Sequence, residues 1–217
     1  MKKLISVLLL SLLSTTAFAV EKSNTLHLIL IDETGSMNVR KSEASKNLNT
    51  MLRGLRNSGK NIVLARFDTV HYKYEYGETN GVPDVATGNR IKEILDYSPG
   101  EGTNLFDSIA RLALDGEKLE KQYKRVTLTI FTDGEENSSK LYTEDSLKAL
   151  LDRKTNKDGW KLNYVAIKLD PMDETAWRGG VTSGLVRMSD SSGGQFISSD
   201  AAMVFTTTGL FDDKDSK

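Results

Sequence analysis

Residues 26–36 read Leu26-His27-Leu28-Ile29-Leu30-Ile31-Asp32-Glu33-Thr34-Gly35-Ser36. The first six are almost continuously apolar, without the alternation of a strand that shows one face to water. So short a run marks a strand buried on both faces, as in parallel sheets covered by helices. It stops at a carboxylate, followed by two hydroxyls around a glycine. Open α/β sheets bind their ligands at the carboxyl ends of strands, where this polar group falls.

Working outward, Ala44, Leu48, Met51, Leu52 and Leu55 form one helical stripe that Gly59 terminates. Ile62–Phe67 reads as a second strand. From Val70 to Tyr76 the tyrosines Tyr72, Tyr74 and Tyr76 alternate with His71, Lys73 and Glu75, the half-buried pattern of an antiparallel edge strand. A helical piece near 90–95 follows, then Ser98-Pro99-Gly100-Glu101-Gly102, then a helix carrying Leu105, Ile109 and Leu112. Val126–Phe131 is a buried strand, and Leu147, Leu150 and Leu151 mark a helix that Thr143 caps. Leu162–Ile167 is a fifth strand and Gln195–Ser198 a weak sixth, ahead of a final short helix. The alternation predicts a three-layer, doubly wound α/β fold. Its sheet would be mostly parallel and six-stranded, in the order 3-2-1-4-5-6, with one antiparallel edge strand. In that order the first and fourth strands flank the point where the winding reverses, which sets Asp32 and Asp133 on two sides of one crevice.

The chain opens Met1-Lys2-Lys3, continues through an apolar run from Leu4 to Leu13 and reaches Ala17-Phe18-Ala19. That is the pattern of a secretory signal peptide cleaved after Ala19, and the run is too short to span a bilayer, which needs roughly 20 apolar residues. The expected organisation is a signal peptide over 1–19, one domain over 20–208 and a charged tail over 209–217. The mature protein would be periplasmic or secreted, without a membrane span. Loss of Lys2 and Lys3 from the 29 basic residues leaves 27 against 30 acidic ones, a formal charge of −3. A mildly acidic chain argues against a nucleic-acid partner. With no cysteine, thiol chemistry and disulfides are excluded.

Asp32, Thr34, Ser36 and Asp133 form an all-oxygen, hard donor set that suits Mg²⁺ or Mn²⁺; Ca²⁺ is not separable from them by sequence. Together Asp32-x-Thr34-x-Ser36, Gly102-Thr103-Asn104-Leu105 and Phe131-Thr132-Asp133-Gly134 resemble the von Willebrand factor A (VWA) domain and its metal-ion-dependent adhesion site. The resemblance spans roughly residues 26–205, with the motifs in the family's order. It implies that Ser36 and Thr103 bind the metal through their hydroxyls. Asp32 and Asp133 would act directly or through water, and Thr34 would orient Asp32 or a water. It implies further that a protein partner offers an Asp or Glu carboxylate to the remaining coordination position. The chain would then be a binding module and not an enzyme, monomeric until bound. The Gly100–Gly102 loop would let Thr103 approach or leave the ion. Thr34 stands where the family usually has Ser, and Asn38-Val39-Arg40-Lys41 replaces the acidic pair that builds a second metal site in integrin-like members.

Other readings of the same residues stay open. Asp32 and Thr34 would also serve as a helix cap, and Asp133 with Gly134 as a turn. A Mg²⁺-dependent phosphoesterase would use the same carboxylates, but no second acid stands two residues after Asp32 and no general base is placed nearby. A metal-free scaffold of the same fold is the third class. Glu135 and Glu136 read as solvated, and Asp107 as a structural first-turn carboxylate. His27 and His71 read as structural, and Trp160 and Trp177 as core.

Overall fold

The computed structural model describes residues 24–35, 37, 60–87, 102–134, 136–166 and 183–198. Strand β1, Thr25–Asp32, is buried along all eight residues. The reason is its place in the sheet: it pairs in parallel with β2 (Asn61–Phe67) on one side and β7 (Arg125–Thr132) on the other. Leu28 lies between Val63 and Leu128 in register. Beyond β7 the sheet continues in parallel through β8 (Lys161–Ala166) to β9 (Phe196–Ser198). Beyond β2 lies β3 (Tyr72–Tyr74), which is antiparallel. The order β3-β2-β1-β7-β8-β9 is the predicted doubly wound one, reversing between β1 and β7.

The outer edge differs in detail from the sequence reading. Instead of one strand over 70–76, two short segments, β3 and β6 (Ala86–Thr87), pair with successive halves of β2, making seven strands. A two-stranded hairpin, β4 (Glu78–Thr79) with β5 (Val82–Pro83), lies between them. Val70 and His71 belong to a turn, because Asp68 Oδ1 accepts both of their N–H groups at 2.7 Å.

Helix α1 (Leu105–Leu119) lays Leu105, Ile109, Leu112 and Ala113 on the face of the sheet that carries Leu26, Leu28 and Leu30. Gly116 allows the close approach: a Cβ there would sit 2.3 Å from Leu28 Cδ1 and 3.0 Å from Trp160 Cη2. Helix α2 (Glu144–Asn156) starts at the predicted cap, where Thr143 Oγ1 accepts the Ser146 N–H at 3.3 Å and the Ser146 hydroxyl accepts the Thr143 N–H at 2.9 Å. Helix α3 (Ser183–Ser191), absent from the sequence reading, buries Leu185, Val186 and Met188 in the same core. On the opposite face of the sheet Ile29, Ile31, Ile62, Leu64 and Val165 are equally buried, so both faces are covered, as a three-layer fold requires. His27 and Trp160 lie buried, as expected. Trp177, the stripe 44–55, the helical piece at 90–95, the segments 1–19 and 209–217 and the final helix fall outside the described residues. Among the described residues no helix is long and apolar enough to cross a membrane.

Candidate functional site

The adjacent carboxyl ends of β1 and β7 bring the first and third motifs together. Asp32 closes β1, is fully buried, and accepts the Thr34 N–H on Oδ1 at 2.8 Å. Its Oδ2 accepts the Thr132 hydroxyl at 2.6 Å across the strand pair. The same Thr132 oxygen accepts the Gly134 N–H at 3.0 Å, which turns the chain directly after Asp133. Gly134 has φ +85°, a left-handed conformation that glycine adopts without steric cost. Asp133 is half-buried and acts electrostatically on Asp32.

Burial pushes the Asp32 carboxyl up to about 7. The Thr132 and Thr34 hydrogen bonds oppose the shift, and the like charge of Asp133 adds to it. Two anionic groups thus converge where water does not reach the inner one. Thr34 is itself fully buried, and its carbonyl accepts the Met37 N–H at 3.1 Å, curling the chain after the motif. Ser36 lies outside the described residues.

Thr103 is 1 % exposed and its backbone is held on three sides. Its N–H donates to Asn137 Oδ1 at 2.7 Å, and its carbonyl accepts the N–H groups of Asn137 and Ser138, each at 3.0 Å. The Thr69 hydroxyl donates to the Gly102 carbonyl at 2.5 Å. Gly102 has φ +71°, and a Cβ there would lie 2.6 Å from Ser138 Oγ. The loops after β2 and β7 and the segment ahead of α1 are therefore stitched together along one edge of the sheet. The backbone of Thr103 is thus bonded to the loop that follows β7, while Gly100 and Glu101 of the loop expected to move it lie outside the described residues.

Three contributors were not visible in the sequence. Thr132 stands in the third motif without a role assigned to it, yet its hydroxyl joins the two strand ends. Glu136 reads as solvated, but its Oε2 accepts the Phe106 N–H at 2.8 Å and so caps α1 from a distant segment. Its Oε1 accepts the Ser138 and Ser139 N–H groups at 3.0 and 2.8 Å. Arg66 bonds Glu33 at 2.8 Å and Glu75 at 3.3 Å, tying the first motif to the neighbouring strand. Burial raises Glu33 against the opposing pull of Arg66. Asp107 is structural as expected, although by another route: it accepts the N–H groups of Lys140, Leu141 and Tyr142 rather than facing only its own helix.

In donor chemistry Asp32, Thr34, Thr103 and Asp133 could hold a hard cation such as Mg²⁺. Among the described residues no three His, Cys, Asp or Glu side chains cluster to hold a metal. Two carboxylates completed by hydroxyls and water form an arrangement in which Mg²⁺ is usually bound.

No protein-family model matches the chain, and no curated protein matches it in sequence. Solved structures do resemble it. The pilus adhesin SpaC from Lactobacillus rhamnosus GG superposes with a TM-score of 0.58 at 12% identity, covering 87% of this chain and 30% of the adhesin. The SpRpn10 VWA domain superposes at 0.53 with 15% identity, covering 80% and 87%. Proximal thread matrix protein 1 from the mussel byssus gives 0.53 at 11% identity, with 87% of this chain and 46% of that one. The chain thus spans less than half of two of these structures and most of the third. At such identities the likeness is one of fold, and the chain has a von Willebrand factor A-like fold.

Proposed function

We propose that this protein is an exported binding module that recognises a partner protein through a divalent cation at the carboxyl ends of β1 and β7. Asp32, Thr34, Ser36, Thr103 and Asp133 would hold the ion, with Mg²⁺ the best fit to the donor set and Mn²⁺ or Ca²⁺ as alternatives. One observation carries this reading: the fully buried Asp32, bonded to Thr34 and Thr132, lies beside a second carboxylate at the reversal point of the sheet. A buried carboxylate beside a second, half-buried one costs folding free energy, which a proton or a bound cation offsets. A bound ion would supply a Lewis-acidic position for an Asp or Glu carboxylate of the partner. The chain's own residues would keep that position rigid, through the Thr132 bridge below and the Asn137–Thr103 bonds at the rim. Structural likeness to a pilus adhesin and to the SpRpn10 VWA domain supports an interaction role over a catalytic one.

The test is a pull-down from an extracytoplasmic extract with residues 20–217 as bait, in Mg²⁺, in chelator and with Asp133→Ala. A partner held only by the unaltered bait in Mg²⁺ supports the reading. Capture that ignores chelator and substitution alike would overturn it.

A further inference from the structure

We propose that Glu136, on the loop after β7, is a positioning residue of the crevice, which fixes Thr103 relative to Asp133 without touching the cation itself. The inference rests on the cation-binding reading above and adds how the chain holds that site in shape. Helix α1, which begins two residues after Thr103, does not cap itself. Asn104 stands at its N-cap yet makes no side-chain cap hydrogen bond. Instead Asn104 Oδ1 accepts the Ser108 hydroxyl at 3.0 Å and its Nδ2 donates to the Thr69 carbonyl at 3.4 Å. First-turn N–H groups have no partner within their own helix, so those of α1 must be satisfied from elsewhere.

The loop after β7 supplies the partners. Glu136 Oε2 accepts the Phe106 N–H at 2.8 Å and the Ser139 hydroxyl at 2.7 Å. The Ser139 oxygen in turn accepts the Asp107 N–H at 3.1 Å. From the helix side, Asp107 accepts the N–H groups of Lys140, Leu141 and Tyr142 at 2.8 to 3.0 Å. Each segment thus offers a carboxylate to the backbone of the other, across 30 to 35 positions of chain. Glu136 Oε1 also accepts the Ser138 and Ser139 N–H groups, so the same carboxylate orders its own loop.

This clamp spans the two motifs of the crevice. Phe106 stands three residues after Thr103, and Glu136 three residues after Asp133. The Thr103 backbone is bonded to Asn137 and Ser138, the two residues that follow Glu136. Thr103 therefore moves away from the loop that carries Asp133 only by breaking bonds to a carboxylate, which are stronger than those between neutral groups. Around metal sites, partners of this kind tune affinity although they ligate nothing. The position calls for a carboxylate: the two Glu136 oxygens face three N–H groups and one hydroxyl, all of them donors. Glu136→Gln would turn an amide NH₂ toward some of these donors and leave them unmatched.

Mg²⁺ affinity of the full chain is measured by isothermal titration calorimetry, and exchange of the Thr103 amide by NMR in chelator. Glu136→Gln should lower the affinity about tenfold or more and speed Thr103 exchange, although Glu136 bonds neither the ion nor that amide. Ser139→Ala should act in the same direction and Ser139→Thr should restore binding; this pair carries the test if Glu136→Gln does not fold. The control is Ser192→Ala, which removes the acceptor of the Leu162 N–H at the amino end of β8, opposite the crevice. It should lose stability in urea with Mg²⁺ affinity and Thr103 exchange unchanged. Three results would overturn the role of Glu136 and leave the cation in place. The first is unchanged affinity in Glu136→Gln. The second is lowered affinity with Thr103 exchange unchanged, which would assign the loss to the missing charge. The third is an equal loss of affinity in Ser192→Ala, which would make the effect one of stability. Absence of Mg²⁺ binding by the unaltered chain would remove the cation, and this role with it.

Discussion

The Thr132 hydroxyl donates to Asp32 Oδ2 at 2.6 Å, joining the last residues of two neighbouring parallel strands exactly one hundred positions apart. It also accepts the Gly134 N–H, so a single oxygen positions the carboxylate of one strand and the turn that carries Asp133 on the other. Thr132→Val should therefore destabilise the protein by about 1–3 kcal/mol, the range for losing a hydrogen bond to a charged buried group. Thr132→Ser should retain most of the stability. Urea unfolding of the three proteins at pH 8 decides it, and equal midpoints for Val and Thr would remove the bridge from the account.

Asp32 gives a pH dependence with a definite sign. Its folded value of about 7 lies above its ordinary 3.8, so the native state holds that proton more tightly than the unfolded chain. Its contribution to stability is fully present below pH 4 and is lost as pH rises through 7. The span corresponds to on the order of 4 kcal/mol at most. In chelator, thermal unfolding followed from pH 5 to 8 should show this decline, and Asp32→Asn should flatten it. A slope unchanged by Asp32→Asn would assign the decline to another group.

If the crevice holds Mg²⁺, binding must displace the Asp32 proton. The rise in melting temperature caused by millimolar Mg²⁺ should then be larger at pH 8 than at pH 6. Asp133→Asn should lower Mg²⁺ affinity about tenfold or more, measured by isothermal titration calorimetry. An Mg²⁺ effect that is absent, or independent of both pH and Asp133, would count against the cation.

Gly116 offers a test of the core that is independent of the site. Alanine is the better helix former by about 1 kcal/mol. A Cβ at this position nevertheless collides with Leu28 and presses on Trp160. Gly116→Ala is expected to destabilise by about 1–3 kcal/mol net, the cost of overpacking. Guanidinium unfolding would check it, and a stabilised variant would mean that α1 moves away freely.

How much of this was legible in the sequence follows from the range of the interactions. β1, β2, β7 and β8 are buried along most of their length, so each reads as a short, mainly apolar run broken by single polar residues such as His27, Arg66, Thr129 and Asn163, and their order follows from the fold class. Thr143 announces α2 because its cap is local. The β4–β5 hairpin and β6 have two residues per strand and offer no periodicity to detect. In α3 the stripe of Leu185, Val186 and Met188 is diluted by serines at 183, 189 and 191. In the candidate site, the neighbouring positions of Asp32 and Asp133 were legible because they lie at or just beyond the carboxyl ends of β1 and β7. Glu136 and Asn137 were not, since they bond Phe106 and Thr103 some thirty positions away, and no local pattern encodes such a partner.

The central position of β1 also has a consequence for synthesis. The strand that occupies the middle of the sheet is made before most of its neighbours, and Thr25 finds its partner only at Arg125. Until β7 is available, Leu26–Ile31 keeps an unpaired hydrogen-bonding edge with apolar side chains on both faces, which is the hallmark of an aggregation-prone segment. Pairing across about a hundred positions carries the loop-closure cost that slows folding. A nascent chain ending before residue 125 should aggregate more readily than the full chain, which light scattering of truncated and full-length translation products would check.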